Sequence, residues 1–237
     1  MPVSLSAVRN DDRFVPFHIA PRPDDMPLTL NDHLRPIHAS STRLHFRKNE
    51  TIFAEGDPVD RVYKVLTGTV RLCRYLPDGR RHVGDFVLAG DLMGFLECPD
   101  HPATAEAVDD VTVVSYPRSA VDRLAASDPQ LRRRIACHLS STLLEAQHHG
   151  FMLCCQRARE RVASFLVRLA DRSDTVDGET LDIAMPRQDI ADHLGMTMET
   201  VCRMLSLLKT EGLIVVPNND QVILRNLSAL RVQAVEN

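Results

Sequence analysis

Glu199 and Arg203 stand four residues apart in a helix-patterned segment running from Thr197 to Lys209. Residues at i and i+4 project from one helix face, so Met198, Glu199, Cys202 and Arg203 share a surface. A guanidinium on such a surface can donate two hydrogen bonds to guanine O6 and N7, and a carboxylate can accept one from cytosine N4. That is chemistry suited to the major groove of a duplex. The spacing also makes Glu199 and Arg203 an ion pair that would hold the guanidinium in place. A solvated ion pair on an exposed helix has the same spacing; the turn before it and the strands after it favour nucleic-acid contact. Cys202 adds a second chemistry. The helix dipole and Arg203 would favour its thiolate, and oxidation would put bulk or charge where bases and phosphates approach. The competing role is passive contact with a base methyl group.

Other candidate chemistry is thin. Cys154-Cys155 and His148-His149 supply metal-ligating atoms, but adjacent helix residues diverge by about 100°, and no metal is expected. The six cysteines, at 73, 98, 137, 154, 155 and 202, show no CxxC spacing, which fits reduced thiols in the cytoplasm. No Gly-rich phosphate loop, HExxH or GxSxG occurs, so an enzyme is not expected. With 5% aromatics and no Trp, the chain is a poor match to a base-stacking single-strand binder. Net charge is -4, with 18 basic against 20 acidic residues over 1–150 and 10 against 12 over 151–237. Duplex binding must therefore rest on a local surface. No apolar run is long enough to span a membrane, and the first twelve residues lack a secretory pattern.

The elements that would position the Glu–Arg face follow from local signals. Pro186 suits a helix start, and Ile190, Ala191 and Leu194 form one apolar face. Gly195 supplies a left-handed turn, and Thr197 can cap the next helix. Val201, Leu205 and Leu208 make its buried stripe, and Gly212 stops it. Leu213–Pro217 and Gln221–Leu224, joined through Asn218-Asn219-Asp220, read as a wing. Together these make a winged helix-turn-helix.

Upstream, Thr42 to Pro117 holds short alternating runs broken by turns such as Pro77-Asp78-Gly79, the pattern of an antiparallel barrel or roll. Helical patterns cover Leu34–Ser41 and Ser119–Ala126. Asp128 as N-cap and Pro129 then open a helix to about Leu153, roughly 40 Å long. Its stripe of Leu131, Ile135, Leu139, Thr142, Ala146 and Leu153 is more than one roll can cover, so packing against a twin in a homodimer is expected, with two shorter helices broken at Gly150 as the alternative. Arg157–Asp171 is amphipathic, with Val162, Phe165, Leu166 and Leu169 inward, and Ser173–Thr180 is a polar loop. The expected division is an unstructured arm over 1–30, a roll over 31–126, a dimerisation helix over 127–155 and the winged domain over 156–237.

On these residues the chain resembles the CRP/FNR family of bacterial transcription regulators, from about Leu34 to Leu224. Gly56-Asp57, Gly68-Thr69-Val70, Gly90-Asp91-Leu92 and the segment from Glu199 to Arg203 fall in the family's order. The resemblance implies an α+β fold: a β-roll of the cyclic-nucleotide-binding jelly-roll kind, a long dimerisation helix and a C-terminal winged helix-turn-helix. It implies that Glu199 and Arg203 read bases of a TTG…CAA-type palindrome, that Arg187, Gln188, Thr197 and Thr200 contact phosphates, and that Met198 and Cys202 vary with site preference. Partners would be double-stranded DNA and RNA polymerase. Cyclic-AMP-binding members carry an Arg-Ser pair where this chain has His101 and Pro102, which offer no phosphate clamp. Oxygen-sensing members carry an N-terminal cysteine cluster for iron–sulfur, but residues 1–72 contain no Cys. The remaining pattern is similar to the FixK subgroup, activators of low-oxygen respiration and nitrogen-oxide or nitrogen-fixation genes, and no cofactor is expected. Alternatives are a haem-dependent nitric oxide sensor of the same family and a cyclic-nucleotide-binding signalling subunit.

Overall fold

A computed structural model describes residues 30–173 and 175–235. The arm expected over 1–30 lies, but for Leu30, outside the described residues. A short helix, α1 (Leu30–His33), and a 3-10 helix (Arg35–Ser40) lead into eight strands. They are β1 (Thr42–Phe46), β2 (Thr51–Phe53), β3 (Arg61–Thr67), β4 (Val70–Tyr75), β5 (Arg81–Val87), β6 (Leu92–Met93), β7 (Thr104–Ala107) and β8 (Val111–Pro117). They form two antiparallel four-stranded sheets, ordered β1-β8-β3-β6 and β2-β7-β4-β5. Alternation sends Phe53, Val65, Val70, Ala105, Ala107, Val111 and Val113 into the space between them. The hairpin at Pro77-Asp78-Gly79 joins β4 to β5 as the sequence predicts. Gly68, between β3 and β4, has φ +82, and a Cβ there would lie 2.5 Å from the Asp110 carbonyl. This turn needs glycine for both reasons.

Two helices follow, α2 (Arg118–Ser127) and α3 (Pro129–Cys155). The Asp128 carboxylate caps α3, accepting from the N–H groups of Gln130 (2.9 Å) and Leu131 (3.1 Å). The helix runs unbroken through Gly150, so the two-helix alternative does not hold.

The stripe expected to meet a twin has to be redrawn. Leu131 is fully buried, and Ile135 and Leu139 pack against the cluster of Phe95, Tyr116 and Val121 in the same chain. The apolar end of the roll covers that half of the stripe. Leu153 packs on the C-terminal core, while Thr142 and Ala146 are exposed. Among the described residues, the large apolar side chains of α3 with the most exposure are Leu143, 59% exposed, and Phe151, 47% exposed. Leu143 falls in an exposed row with Ala136, Ser140, Gln147, Gly150 and Cys154, at steps of three and four.

The C-terminal part comprises α4 (Ala158–Arg172), β9 (Thr180–Asp182), α5 (Arg187–Leu194), α6 (Met198–Thr210), β10 (Ile214–Asn218), β11 (Gln221–Leu224) and α7 (Leu227–Val235). All four predicted inward residues of α4 are buried. The wing strand β11 pairs with β9, which begins at the last residue of the expected loop, giving the order β10-β11-β9. α7, absent from the sequence reading, lies on α4: Leu230 is fully buried and Gln156 Nε2 donates to the Ala234 carbonyl at 2.6 Å. One apolar cluster joins this part to the roll, uniting Cys73, Val83 and Phe86 of the hairpin with Phe165, Ile190 and Leu194.

Candidate nucleic-acid interface

α5 and α6 meet at a turn that admits little besides glycine. Gly195 adopts φ 61, ψ 44, and a Cβ on it would come within 3.2 Å of Leu153 Cδ2. Arg161 of α4 braces this corner. Its guanidinium donates to the carbonyls of Gln156, Leu194 and Leu153, each at 2.9 Å, tying the end of α3 to the end of α5. An arginine beside an amphipathic stripe carries no sequence signal for such a role. The Thr197 hydroxyl then accepts from the Thr200 N–H at 3.3 Å, capping α6 as expected. Val201, Leu205 and Leu208 are buried, which turns the opposite face of α6 to solvent.

That face carries Met198, Glu199, Cys202 and Arg203, all exposed. Glu199 and Arg203 do not form the expected ion pair. The backbone N–H of Glu199 and the Thr197 hydroxyl at the start of α6 instead hold its carboxyl below the usual range. The first turn of a helix has unfilled N–H donors, and they attract the carboxylate away from a residue one turn on. Arg203 is left with no ion-pair partner among the described residues.

The expected phosphate contacts surround this face. Thr197 is exposed and Thr200 partly so, their hydroxyls 3.1 Å apart. Gln188 is exposed, with its amide donating to Asp192 Oδ1 at 2.7 Å. Arg187 is partly buried, and its Nη1 has no hydrogen-bond partner. Burial lowers its pKa, opposed by the nearby Cys202 and by Asp220 in the wing turn. An unmatched buried donor at the start of a helix is a seat for an anionic oxygen.

The reverse side of α5 is bound to the roll through charges the sequence reading did not single out. Arg71 of β4 donates to Asp189 Oδ2 at 2.8 Å, to Glu106 Oε2 from Nε (2.9 Å) and Nη2 (2.7 Å), and to Asn49 Oδ1 at 3.1 Å. Tyr75 donates to the other Glu106 oxygen at 2.9 Å. Arg81 of β5 pairs with Asp189 and grips Asp192 Oδ2 from Nε (2.9 Å) and Nη2 (2.7 Å). Arg71, Glu106 and Asp189 are each more than nine-tenths buried. Burial alone would lower the pKa of Arg71, but Glu106 and Asp189 outweigh it and the guanidinium stays charged. His193 of α5 completes the contact: its Nδ1 lies 3.0 Å from the Val83 carbonyl, and its ring stacks on His149 of α3 at 4.2 Å. Burial drives both imidazoles down, His149 to about 4 and His193 to about 3.

In the roll, His101 is 3% exposed and stacks on Phe53 with ring centroids 3.7 Å apart. Burial lowers its pKa, so the ring is neutral at pH 7. Asp91 of the Gly90-Asp91-Leu92 step pairs with Arg172 of α4. Among the described residues no helix is long and apolar enough to cross a membrane, and no group of His, Cys, Asp and Glu is placed to hold a metal ion.

Comparison with known proteins adds to this geometry. Residues 43–128 match the cyclic nucleotide-binding domain, and residues 160–232 match the Crp-like helix-turn-helix domain. The nitrogen fixation regulation protein FixK of Azorhizobium caulinodans is 39% identical over 198 residues, covering 82% of this chain and 80% of that protein. The transcriptional activatory protein AadR of Rhodopseudomonas palustris is 36% identical over 183 residues, covering 76% of this chain and 77% of AadR. The solved structure of FixK2 from Bradyrhizobium japonicum superposes with a TM-score of 0.79 at 36% identity, covering 83% of this chain and 98% of that one.

Proposed function

The chain belongs to the CRP/FNR family of transcription regulators, within its FixK-like subgroup, and on that premise we propose that it binds a TTG…CAA-type palindrome as a homodimer. The observation that carries the reading is the exposed set of Met198, Glu199, Cys202 and Arg203 on α6, free of pairing among themselves while the rest of the motif is locked inward. Arg203 reads guanine, Glu199 reads cytosine, and Arg187, Gln188, Thr197 and Thr200 take phosphates. The second copy docks along the α3 row holding Ala136, Ser140, Leu143, Gln147 and Gly150, placing two recognition helices one helical turn, about 34 Å, apart. The protein activates transcription through RNA polymerase at genes of low-oxygen respiration, nitrogen-oxide metabolism or nitrogen fixation; activation and nitrogen fixation are in keeping with the names of its relatives. It works in the cytoplasm without cyclic AMP or an iron–sulfur cluster. A neutral, stacked His101 in place of a cationic clamp supports the first point, and the lack of cysteine before Cys73 supports the second.

The test is binding-site selection with the purified full-length protein, reduced and oxidised, with and without haem. The expected result is a two-fold site with half-sites one turn apart, bound without added ligand and more weakly as salt rises. Selection of no symmetric site, or selection that requires haem, would overturn the reading. Exposed Cys202 is the thiol through which oxidation would act; binding that survives peroxide, or a peroxide effect that persists in Cys202→Ala, removes that part.

A further inference from the structure

The ion-pair cluster between the roll and α5 is placed where it can govern function as well as stability. Two arginines of one β-hairpin, Arg71 and Arg81, converge on two carboxylates of one helical turn, Asp189 and Asp192. Each arginine is a planar fork, so the bonds fix direction as well as distance. Glu106 and Asn49 hold Arg71 from behind, and Tyr75 donates to the other Glu106 oxygen, so the fork is fixed within the roll itself. Asp192 in turn holds the amide of Gln188 on the DNA side of the same helix. Phe86 of the hairpin packs against Phe165 and His193 beside the cluster. None of these contacts uses Met198, Glu199, Cys202 or Arg203, which stay exposed.

We propose that Arg71, Arg81, Asp189 and Asp192 act as positioning residues: they fix the angle of each helix-turn-helix on its roll, and thereby set the half-site spacing that the dimer accepts. The proposal rests on the palindrome reading above. A dimer joined through α3 carries two reading heads, and the distance between them depends on how each head is mounted. With charged forks on one flank and Phe86 on the other, the mount resists rotation, and the roll serves as a rigid seat for the reading head. Loosening the clasp lets each head rock without altering the atoms that touch bases. Spacing discrimination should therefore fail while base discrimination survives.

The experiment compares wild-type protein with Arg81→Met and with the milder Asp192→Asn, measuring affinity for duplexes whose half-sites are identical but separated by the selected spacing, one base pair fewer or one more. Arg81 and Asp192 lie at the edge of the cluster, with side chains 16% and 14% exposed, and in both variants Asp189 keeps its bond to Arg71. Expected are a fall of roughly tenfold on the selected spacing, a flattened profile across the three spacings, and an unchanged ranking of base substitutions within a half-site. A spacing profile that keeps its wild-type shape in both single variants overturns the clasp, whatever happens to absolute affinity or thermal stability. If wild-type protein selects no two-fold site at all, the functional reading fails first, a result distinct from an unchanged profile.

Discussion

α5 and α6 each present acidic and basic chemistry to a neighbour, and they treat it in opposite ways. On the roll side of α5, Asp189 is 2% exposed and receives two arginines, and every charge there has a partner of opposite sign. On the outer side of α6, Glu199 turns back to its own helix end and Arg203 projects with no ion-pair partner among the described residues. Charges satisfied within the chain hold it together, and a charge left open on a rigid helix is available to something outside. Burying a charge without a partner is costly, whereas an exposed one costs little until it is used. The partners of the α5 charges lie more than a hundred residues away in the roll, whereas Glu199 and Arg203 are four residues apart and still do not pair; their surroundings separate the two cases.

The largest effect expected from breaking this contrast is on the closed side. Asp189→Ala leaves Arg71 and Arg81 without their shared buried partner and should cost about 3–5 kcal/mol of stability. Urea unfolding followed by circular dichroism checks it, and a loss below about 1 kcal/mol would show that the pairing is not structural. On the open side, Arg203→Ala should leave the unfolding curve unchanged and weaken binding by about 1–3 kcal/mol, with relaxed preference at the guanine; anisotropy titrations on single-base variants read both. Thr197→Ala removes the α6 cap and should cost about 1 kcal/mol, measurable as a modest drop in Tm. The smallest effect near neutral pH concerns His149 and His193. An unfolded imidazole takes its proton near pH 6.5, but burial delays protonation in the folded chain to about 4 and about 3. The unfolded state thus binds more protons below pH 6.5, and stability should fall as pH drops from there toward 4. Tm measured at pH 8, 6.5 and 5 should be level over the first interval and decline over the second, with a shallower decline in His149→Phe.

Much of this was legible in the sequence because the signals were local. Asp128, Pro129, Gly195 and Thr197 act at the backbone within a few residues, and each does in the structure what its chemistry dictates. β7 carries no strand signal because its buried apolar side chains, Ala105 and Ala107, are too small to mark a strand, and the buried Glu106 between them is charged. α7 is capped by Asn226, whose Oδ1 accepts from the Ala229 N–H at 2.8 Å, but it has no strong apolar stripe to announce it. The α3 stripe was read as a surface for a second copy, since periodicity shows that a face is apolar but not which neighbour covers it. Arg71, Arg81, Arg161 and Asp189 were silent for a related reason: their partners lie up to 118 residues away, and a charged side chain in an alternating strand reads as solvent-facing. The α6 face was found, yet its internal ion pair was not, because the helix end competes for Glu199.

Phe86 belongs by sequence to the first half of the chain and by packing to the second, where it meets Phe165 and His193. Cutting the protein before Ala158 would therefore strip Phe165 and Ile190 of cover and leave an oily scar on the severed half. Anyone transplanting the duplex-reading half between relatives should carry the β4–β5 hairpin with it, since the natural seam for such surgery does not follow the order of the chain.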